Sequence, residues 1–165
     1  MARPAVTVRP LVKDDLDAVM SIEEAAFVQP WTRPLFDEEL AQPTRRYLVA
    51  ELDGSIVAYG GLMLVGEDAH LLTVAVADSF RRSGLASHLL TELVALAQAG
   101  GARHLTLEVR ESNAAARALY GKFGFESAGK RKGYYTTEDA VVMWAIDIDS
   151  AHYQDVLAII RREAS

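Results

Sequence analysis

The chain has 165 residues, 50% of them apolar and 24% charged, with a formal net charge of −6 and no cysteine. That length and composition predict one globular domain (residues 1–165) with a sizeable core. The acidic balance argues against non-specific nucleic-acid binding. The missing cysteine excludes disulfides, thiol nucleophiles and thiolate metal sites. No apolar run reaches the length of a membrane span, so no membrane association is expected.

Met1-Ala-Arg-Pro4 lacks the apolar segment of a signal peptide, and a cytoplasmic location is the expectation. Ala5 to Arg9 alternates as a short strand. Asp14 or Asp15 is placed to cap a helix reaching about Phe27, with Leu16, Val19, Met20 and Ala26 on its buried side. Gln29-Pro-Trp-Thr32 interrupts it, and Thr32 followed by Pro34 starts a second helix to about Ala41. Arg46 to Leu52 and Ser55 to Val65 read as strands joined at Asp53-Gly54, a strong hairpin signal. Gly66-Glu-Asp68 turns the chain into a strand ending at Val76.

The next segment couples three patterns. The apolar run Leu72 to Val76 reads as strand, Asp78 to Ser83 is polar, and Leu85, Leu89, Leu93 and Leu96 recur at helical spacing. A strand feeding a basic, glycine-containing turn into a helix makes an anion site, because the first helical amides lack internal acceptors. Gly84 and Ala86 allow close approach of a ligand to that backbone. The helix stops at Gly100-Gly101. Leu105, Leu107 and Val109 then alternate with Thr106 and Glu108 in another strand. Ser112 or Asn113 caps a helix bearing Ala116, Leu119, Tyr120 and Phe123, which ends near Gly124. Phe125 to about Lys130 and Val141 to Ile148 read as further strands with Gly133 to Asp139 between them, and Lys130-Arg-Lys132 as a solvated basic hairpin. Asp149 or Ser150 caps a last helix, about residues 150–163, with Tyr153, Val156, Leu157 and Ile160 on one face. Strands first, then strands alternating with helices, give an α/β (α+β) class around a mixed, mostly antiparallel sheet. The four histidines show no paired ligand spacing, so no metal site is expected.

Arg81-Arg-Ser-Gly-Leu-Ala86 fits the (Gln/Arg)-x-x-Gly-x-(Gly/Ala) pyrophosphate loop of the GCN5-related N-acetyltransferases (GNAT). Leu107-Glu-Val-Arg-Glu-Ser-Asn-Ala-Ala-Ala116, Tyr134-Tyr135 and Glu138-Asp-Ala140 resemble the RimI-like group of that superfamily, the ribosomal-protein alanine N-acetyltransferases. Pro30-Trp-Thr32 resembles the group's Pro-Trp-Ser/Thr. These features span about residues 5–148, leaving the last helix outside the shared core.

The resemblance implies acetyl-CoA as cosubstrate. Val74, Ala75 and Val76 would offer backbone groups to the pantetheine arm. Arg82, Ser83, Gly84, Leu85, Ala86 and Ser87 would hold the pyrophosphate, and Asn113 would contact CoA besides capping its helix. Glu108 would serve as general base for the acceptor amine, and Tyr120 as the acid that protonates the departing thiolate. Glu108 also admits a bland reading as a solvated carboxylate at a sheet edge, and Tyr120 as core packing. Trp31, Tyr134 and Tyr135 either wall the acceptor groove or pack as ordinary core and surface. The implied reaction is direct attack by a neutral amine in a ternary complex, with an amide near Val76 facing the developing oxyanion. The implied acceptor is a protein N-terminus, foremost the N-terminal alanine of a small-subunit ribosomal protein, for an enzyme acting as monomer or weak homodimer. A lysine or small-amine acceptor, and a CoA-binding module without turnover, are the competing readings.

Overall fold

Asp53 and Gly54 both take positive φ, 51° and 81°, and so close the two-residue hairpin turn that the flanking apolar runs require. The computed structural model that contains this turn describes residues 6–27, 29–81 and 83–164. Its seven strands are β1 (Val6–Pro10), β2 (Arg45–Leu52), β3 (Ser55–Val65), β4 (Asp68–Val76), β5 (His104–Arg110), β6 (Glu126–Tyr135) and β7 (Glu138–Ala145). The helices are α1 (Leu16–Ala26), α2 (Arg33–Leu40), α3 (Leu85–Ala99), α4 (Ala114–Lys122) and α5 (Ala151–Ala164). One sheet has the order β1-β2-β3-β4-β5-β7-β6, and its β4–β5 pair is parallel, as the α/β expectation required. Ala5, expected to open the first strand, lies outside the described residues.

The chain divides into two compact units, residues 1–63 with 72–96 and residues 64–71 with 97–165. In the first, β1, β2 and β3 form an antiparallel ladder, with Val8 opposite Ala50 and Tyr47 opposite Gly61. Leu16, Val19, Phe36, Val49 and Tyr59 are fully buried in its core. Thr32 caps α2, its hydroxyl accepting from the Leu35 amide at 3.4 Å, with Pro34 in the first turn. Neither Asp14 nor Asp15 caps α1 with its side chain. A 3₁₀ turn over Lys13–Asp15 comes first, and the Asp15 carboxylate instead accepts two bonds from Arg9, both at 2.8 Å, and one from the Val12 amide. On α1, Ile22 and Glu23 are buried where Met20 and Ala26 were expected, the latter two being only partly covered.

In the second unit the start of β4 pairs in parallel with β5 through Asp68↔His104, Ala69↔Leu105 and His70↔Thr106. Antiparallel β7 flanks the other side of β5, so Glu108 stands on an interior strand and not at an edge. Leu105, Leu107 and Val109 are buried, which leaves Thr106, Glu108 and Arg110 on the opposite face. The β6–β7 hairpin runs further than expected, to Tyr135 and from Glu138. The residues of β6 are almost all exposed, so no apolar alternation marked them as strand. Strand β7 ends three residues early, before Asp147 at φ 56°. Ser150 accepts from the Tyr153 amide at 3.1 Å at the start of α5, while Asp149 pairs with Arg103. Tyr153, Leu157 and Ile160 are buried, and the Tyr153 hydroxyl donates to the Phe123 carbonyl at 2.5 Å. The apolar face of the last helix is thus spent on its own unit.

Candidate functional site

In the first unit, β4 delivers Val74, Ala75 and Val76, of which Ala75 is buried and the two valines half-buried. They lie beyond the last β4–β5 ladder pair, His70↔Thr106. The Ala77 amide, donating to the Val57 carbonyl at 2.8 Å, closes the strand, and a 3₁₀ turn over Asp78–Phe80 follows. Arg81 is exposed and pairs with Asp78 at 3.0 Å. Arg82 lies outside the described residues. The Ser83 hydroxyl donates back to the Phe80 carbonyl, leaving its amide as the group it can present outward. Gly84 has φ 85°, and a Cβ there would meet nothing within 4 Å. Leu85 drives its side chain into the core and fixes the start of α3, while Ala86 and Ser87 stay half-buried. The first α3-capping bond recorded is His88 amide to Gly84 carbonyl at 3.0 Å. First-turn amides preceding it have no acceptor four residues back, so this turn has the make-up of an anion cradle.

Trp31 packs edge-on against Phe36 with ring centroids 5.3 Å apart, and half of it is covered by the core. Nearby in the same unit the buried Glu23 carboxyl accepts from the Tyr59 hydroxyl at 2.9 Å and from the Trp31 amide. Burial pushes that carboxyl up from its usual range. The Glu23 position was legible as part of the buried stripe begun by Leu16 and Val19, although its charge masked it.

The second unit gathers the proton-handling candidates. The Glu108 side chain is 12% exposed; Oε2 lies 2.5 Å from His70 Nε2 and Oε1 lies 3.3 Å from an Arg131 guanidinium nitrogen. The His70 contact, assisted by Arg131 and opposed by burial, holds the Glu108 carboxyl below the usual carboxylate range. The bland reading of Glu108 as a solvated edge carboxylate is therefore corrected: it is a paired, half-buried anion. The Tyr135 hydroxyl donates to the Glu108 carbonyl at 3.3 Å, Tyr134 stacks edge-on against Tyr135 at 5.1 Å, and Arg131 caps the Tyr134 ring at 4.5 Å. Lys130 pairs with Glu111. The basic run is the solvated hairpin expected, exposed throughout, and its Lys130 and Arg131 also pair with Glu111 and Glu108.

Tyr120 lies on α4, half-buried, with its ring 5.8 Å from Phe125. Burial pushes its hydroxyl up to about 12, with a smaller contribution from Tyr135. Asn113 caps α4, its side chain accepting from the Ala116 amide at 3.1 Å. His70 and Arg131 were missed as site residues. The signal lay in the parallel register: His70 opposite Thr106 puts it on the Glu108 face. Among the described residues no group of three or more potential ligands is placed for a metal, and no helix is long and apolar enough to cross a membrane.

Comparison with known proteins is consistent across sequence and structure. The sequence model described as Acetyltransferase (GNAT) family matches residues 16–125. A Bacillus subtilis (strain 168) relative is 41% identical over 140 residues, 83% of this chain and 93% of its own length. The [ribosomal protein bS18]-alanine N-acetyltransferase of Escherichia coli (strain K12) is 37% identical over 143 residues, 83% of this chain and 95% of that one. A crystal structure of the ribosomal-protein-S18-alanine N-acetyltransferase from Escherichia coli superposes with a TM-score of 0.80 at 33% identity, covering 87% of this chain and 94% of that one.

Proposed function

The chain belongs to the acetyltransferase (GNAT) family, and from that premise we propose that it transfers acetyl from acetyl-CoA to the α-amine of a protein, the N-terminal alanine of a ribosomal protein being the foremost acceptor. The observation that carries this reading is near full-length similarity, in sequence and in fold, to proteins named for that acceptor.

Physical chemistry supports the choice of amine. A carboxylate held below its usual range is a weak base, so Glu108 suits an acceptor that is already partly neutral. An α-amine with a pKa near 8 is about one-tenth neutral at pH 7, whereas a lysine amine near 10.4 is under about one-thousandth neutral.

Acetyl-CoA supplies an activated thioester when bound. The residues present fit its anionic and polar parts: the open Gly84 turn and the first amides of α3 for the pyrophosphate, with Arg82 as a positive charge. Backbone groups of Val74, Ala75 and Val76 are assigned to the pantetheine amides and, near Val76, to the developing oxyanion. Asn113, already engaged as a helix cap, keeps further lone-pair and N–H capacity for the CoA. Tyr120 stays protonated at neutral pH, with its hydroxyl pushed up to about 12. A thiolate whose conjugate acid has an ordinary pKa near 8.5 is a weaker base than that phenolate by about three decades. Tyr120 therefore stabilises the leaving sulfur chiefly by donating a hydrogen bond, and the proton the sulfur finally keeps is replenished from water. Trp31, Tyr134 and Tyr135 are assigned to the acceptor peptide. The chain is proposed to work in the cytoplasm, as a monomer or weak homodimer.

The test is acetyl transfer to two peptides, one beginning with a free alanine and one N-blocked with a single internal lysine, followed by thiol release and mass. Transfer to the free α-amine is expected. Transfer confined to the lysine overturns the acceptor, and no transfer to either peptide despite acetyl-CoA binding overturns the protein acceptor in favour of a small amine or a CoA-binding module.

A further inference from the structure

We propose that His70 Nδ1 is the atom that takes the proton from the acceptor amine, with Glu108 positioning the ring and stabilising its cation. The inference rests on the acetyl-transfer reading above and alters one step of it, moving proton removal from Glu108 to His70, which that reading gives no role.

Both oxygens of the Glu108 carboxylate are already engaged, Oε2 by His70 Nε2 at 2.5 Å and Oε1 by Arg131 at 3.3 Å. A carboxylate whose two oxygens already accept from a ring N–H and a guanidinium has little capacity left to take a proton of its own. The His70 side chain is 25% exposed, twice the 12% of Glu108, so the ring is the more accessible member of the pair. A carboxylate facing Nε2 selects the tautomer with the proton on that nitrogen, which leaves the lone pair on Nδ1. No protein partner of Nδ1 is recorded among the described residues. The arrangement is built by the backbone: His70 pairs with Thr106 across the parallel ladder, and Thr106 and Glu108 share a face of β5. Thr106 does not compete for the ring, because its hydroxyl donates to the Met143 carbonyl at 2.9 Å. The depressed carboxyl of Glu108 agrees with this division, in which the carboxylate stays charged and the imidazole cycles.

The protons balance. The acceptor ammonium loses one proton to Nδ1, giving an imidazolium held against the Glu108 carboxylate, and His70 then returns that proton to water. The C–N bond forms as the C–S bond breaks, and the second proton shed by nitrogen is matched by the one the sulfur gains. Besides the pair itself, the charged or titratable groups on β4 and β5 are Asp68, His104 and Arg110, and from β6 Arg131 and Tyr135 reach Glu108. Arg110 is turned to Glu138 and the Tyr135 ring, and His104 accepts from the Asp147 amide. Arg131 reaches the Glu108 carboxylate, and the Tyr135 hydroxyl reaches only its backbone carbonyl.

The experiment measures kcat for acetyl transfer to an alanine-initiated peptide against pH, for the unaltered chain, His70→Gln and Glu108→Gln, with acetyl-CoA affinity measured on each. His70→Gln should lower kcat by roughly 10²–10⁴-fold, keep acetyl-CoA affinity, and lose the acid limb contributed by the ring. Glu108→Gln, which removes the carboxylate that orients the ring, should also lower kcat while keeping acetyl-CoA affinity. Any limb from the acceptor amine is common to all three proteins. Unchanged kcat and limb in His70→Gln overturn the proposal and leave the acetyl-transfer reading intact. If the unaltered chain acetylates only lysine, the α-amine reading fails and the same His70 comparison is made on that acceptor. Should His70→Gln lose acetyl-CoA binding, nitrogen-15 chemical shifts of His70 in the unaltered chain decide: a bare Nδ1 in the neutral ring supports the assignment, and a protonated one overturns it.

Discussion

Gly61 offers a quantitative test of the packing in the first unit. It stands in the middle of β3 directly opposite Tyr47, and a Cβ placed on it would lie 2.3 Å from both Cδ1 and Cε1 of the tyrosine ring and 3.0 Å from Cγ. Carbon atoms settle at about 3.5–4.0 Å, so Gly61→Ala requires the ring to retreat by more than about one ångström. The ring has nowhere to go: Tyr47 is 6% exposed and belongs to the core that holds Phe36 and Tyr59. Overpacking of this kind costs about 1–3 kcal/mol, offset by about 0.5–1 kcal/mol because alanine loses less chain entropy than glycine in a strand. A net loss of about 1–2 kcal/mol is expected, lowering Tm by about 2–8 °C in a chain of this size. Urea unfolding followed by circular dichroism gives the free energy, and calorimetry gives Tm. In a Tyr47→Ala background the same substitution should cost nothing or stabilise slightly, since all three clashing atoms are gone. An equal loss in both backgrounds, or none in the native one, would refute the steric argument.

Two further expectations concern charge and backbone. Arg9 holds the Asp15 carboxyl below its ordinary value of 3.8, so the pair's contribution is complete above that pH and is lost as pH falls through the lower folded value. Asp15→Asn should therefore destabilise the neutral protein by about 1–3 kcal/mol and flatten the acid side of its urea midpoint against pH; parallel curves for the two proteins would contradict the pairing. Gly84→Ala meets no neighbouring atom, but it places a side chain at φ 85°, a strain of about 1–2 kcal/mol. It should raise KM for acetyl-CoA with kcat little changed at saturation, and an unaltered KM would remove this turn from the cofactor assignment.

The elements were legible wherever burial imposed a period. Leu105, Leu107 and Val109 alternate because one face of β5 is core, and Asp53-Gly54 marks its hairpin because few other pairs tolerate positive φ. Strand β6 was cut short because an exposed edge carries no period, and Tyr134 and Tyr135 read as loop although the hydrogen-bonded ladder includes Tyr135. At the site, Glu108 and Tyr120 became candidates through the family resemblance. Their electrostatics were hidden, since His70 is separated from Glu108 by 38 residues and Arg131 by 23. A parallel strand crossing made the first neighbour and an antiparallel hairpin the second, and neither pairing is written in local sequence.

Strand β6 is also where the sheet ends, and what stands there bears on how the molecule behaves in company. Lys130, Arg131 and Lys132 run along it in sequence, with Gly129 at φ 152° and a shift of register just before them. An open strand edge invites a second chain to continue the sheet. Two copies meeting at this edge would set three cations against three cations on an irregular backbone, so neither would find a straight ladder to extend. Concentrated solutions should therefore stay free of fibrillar association through this edge, and replacing the three basic residues with threonine would make the strand a far better template for it.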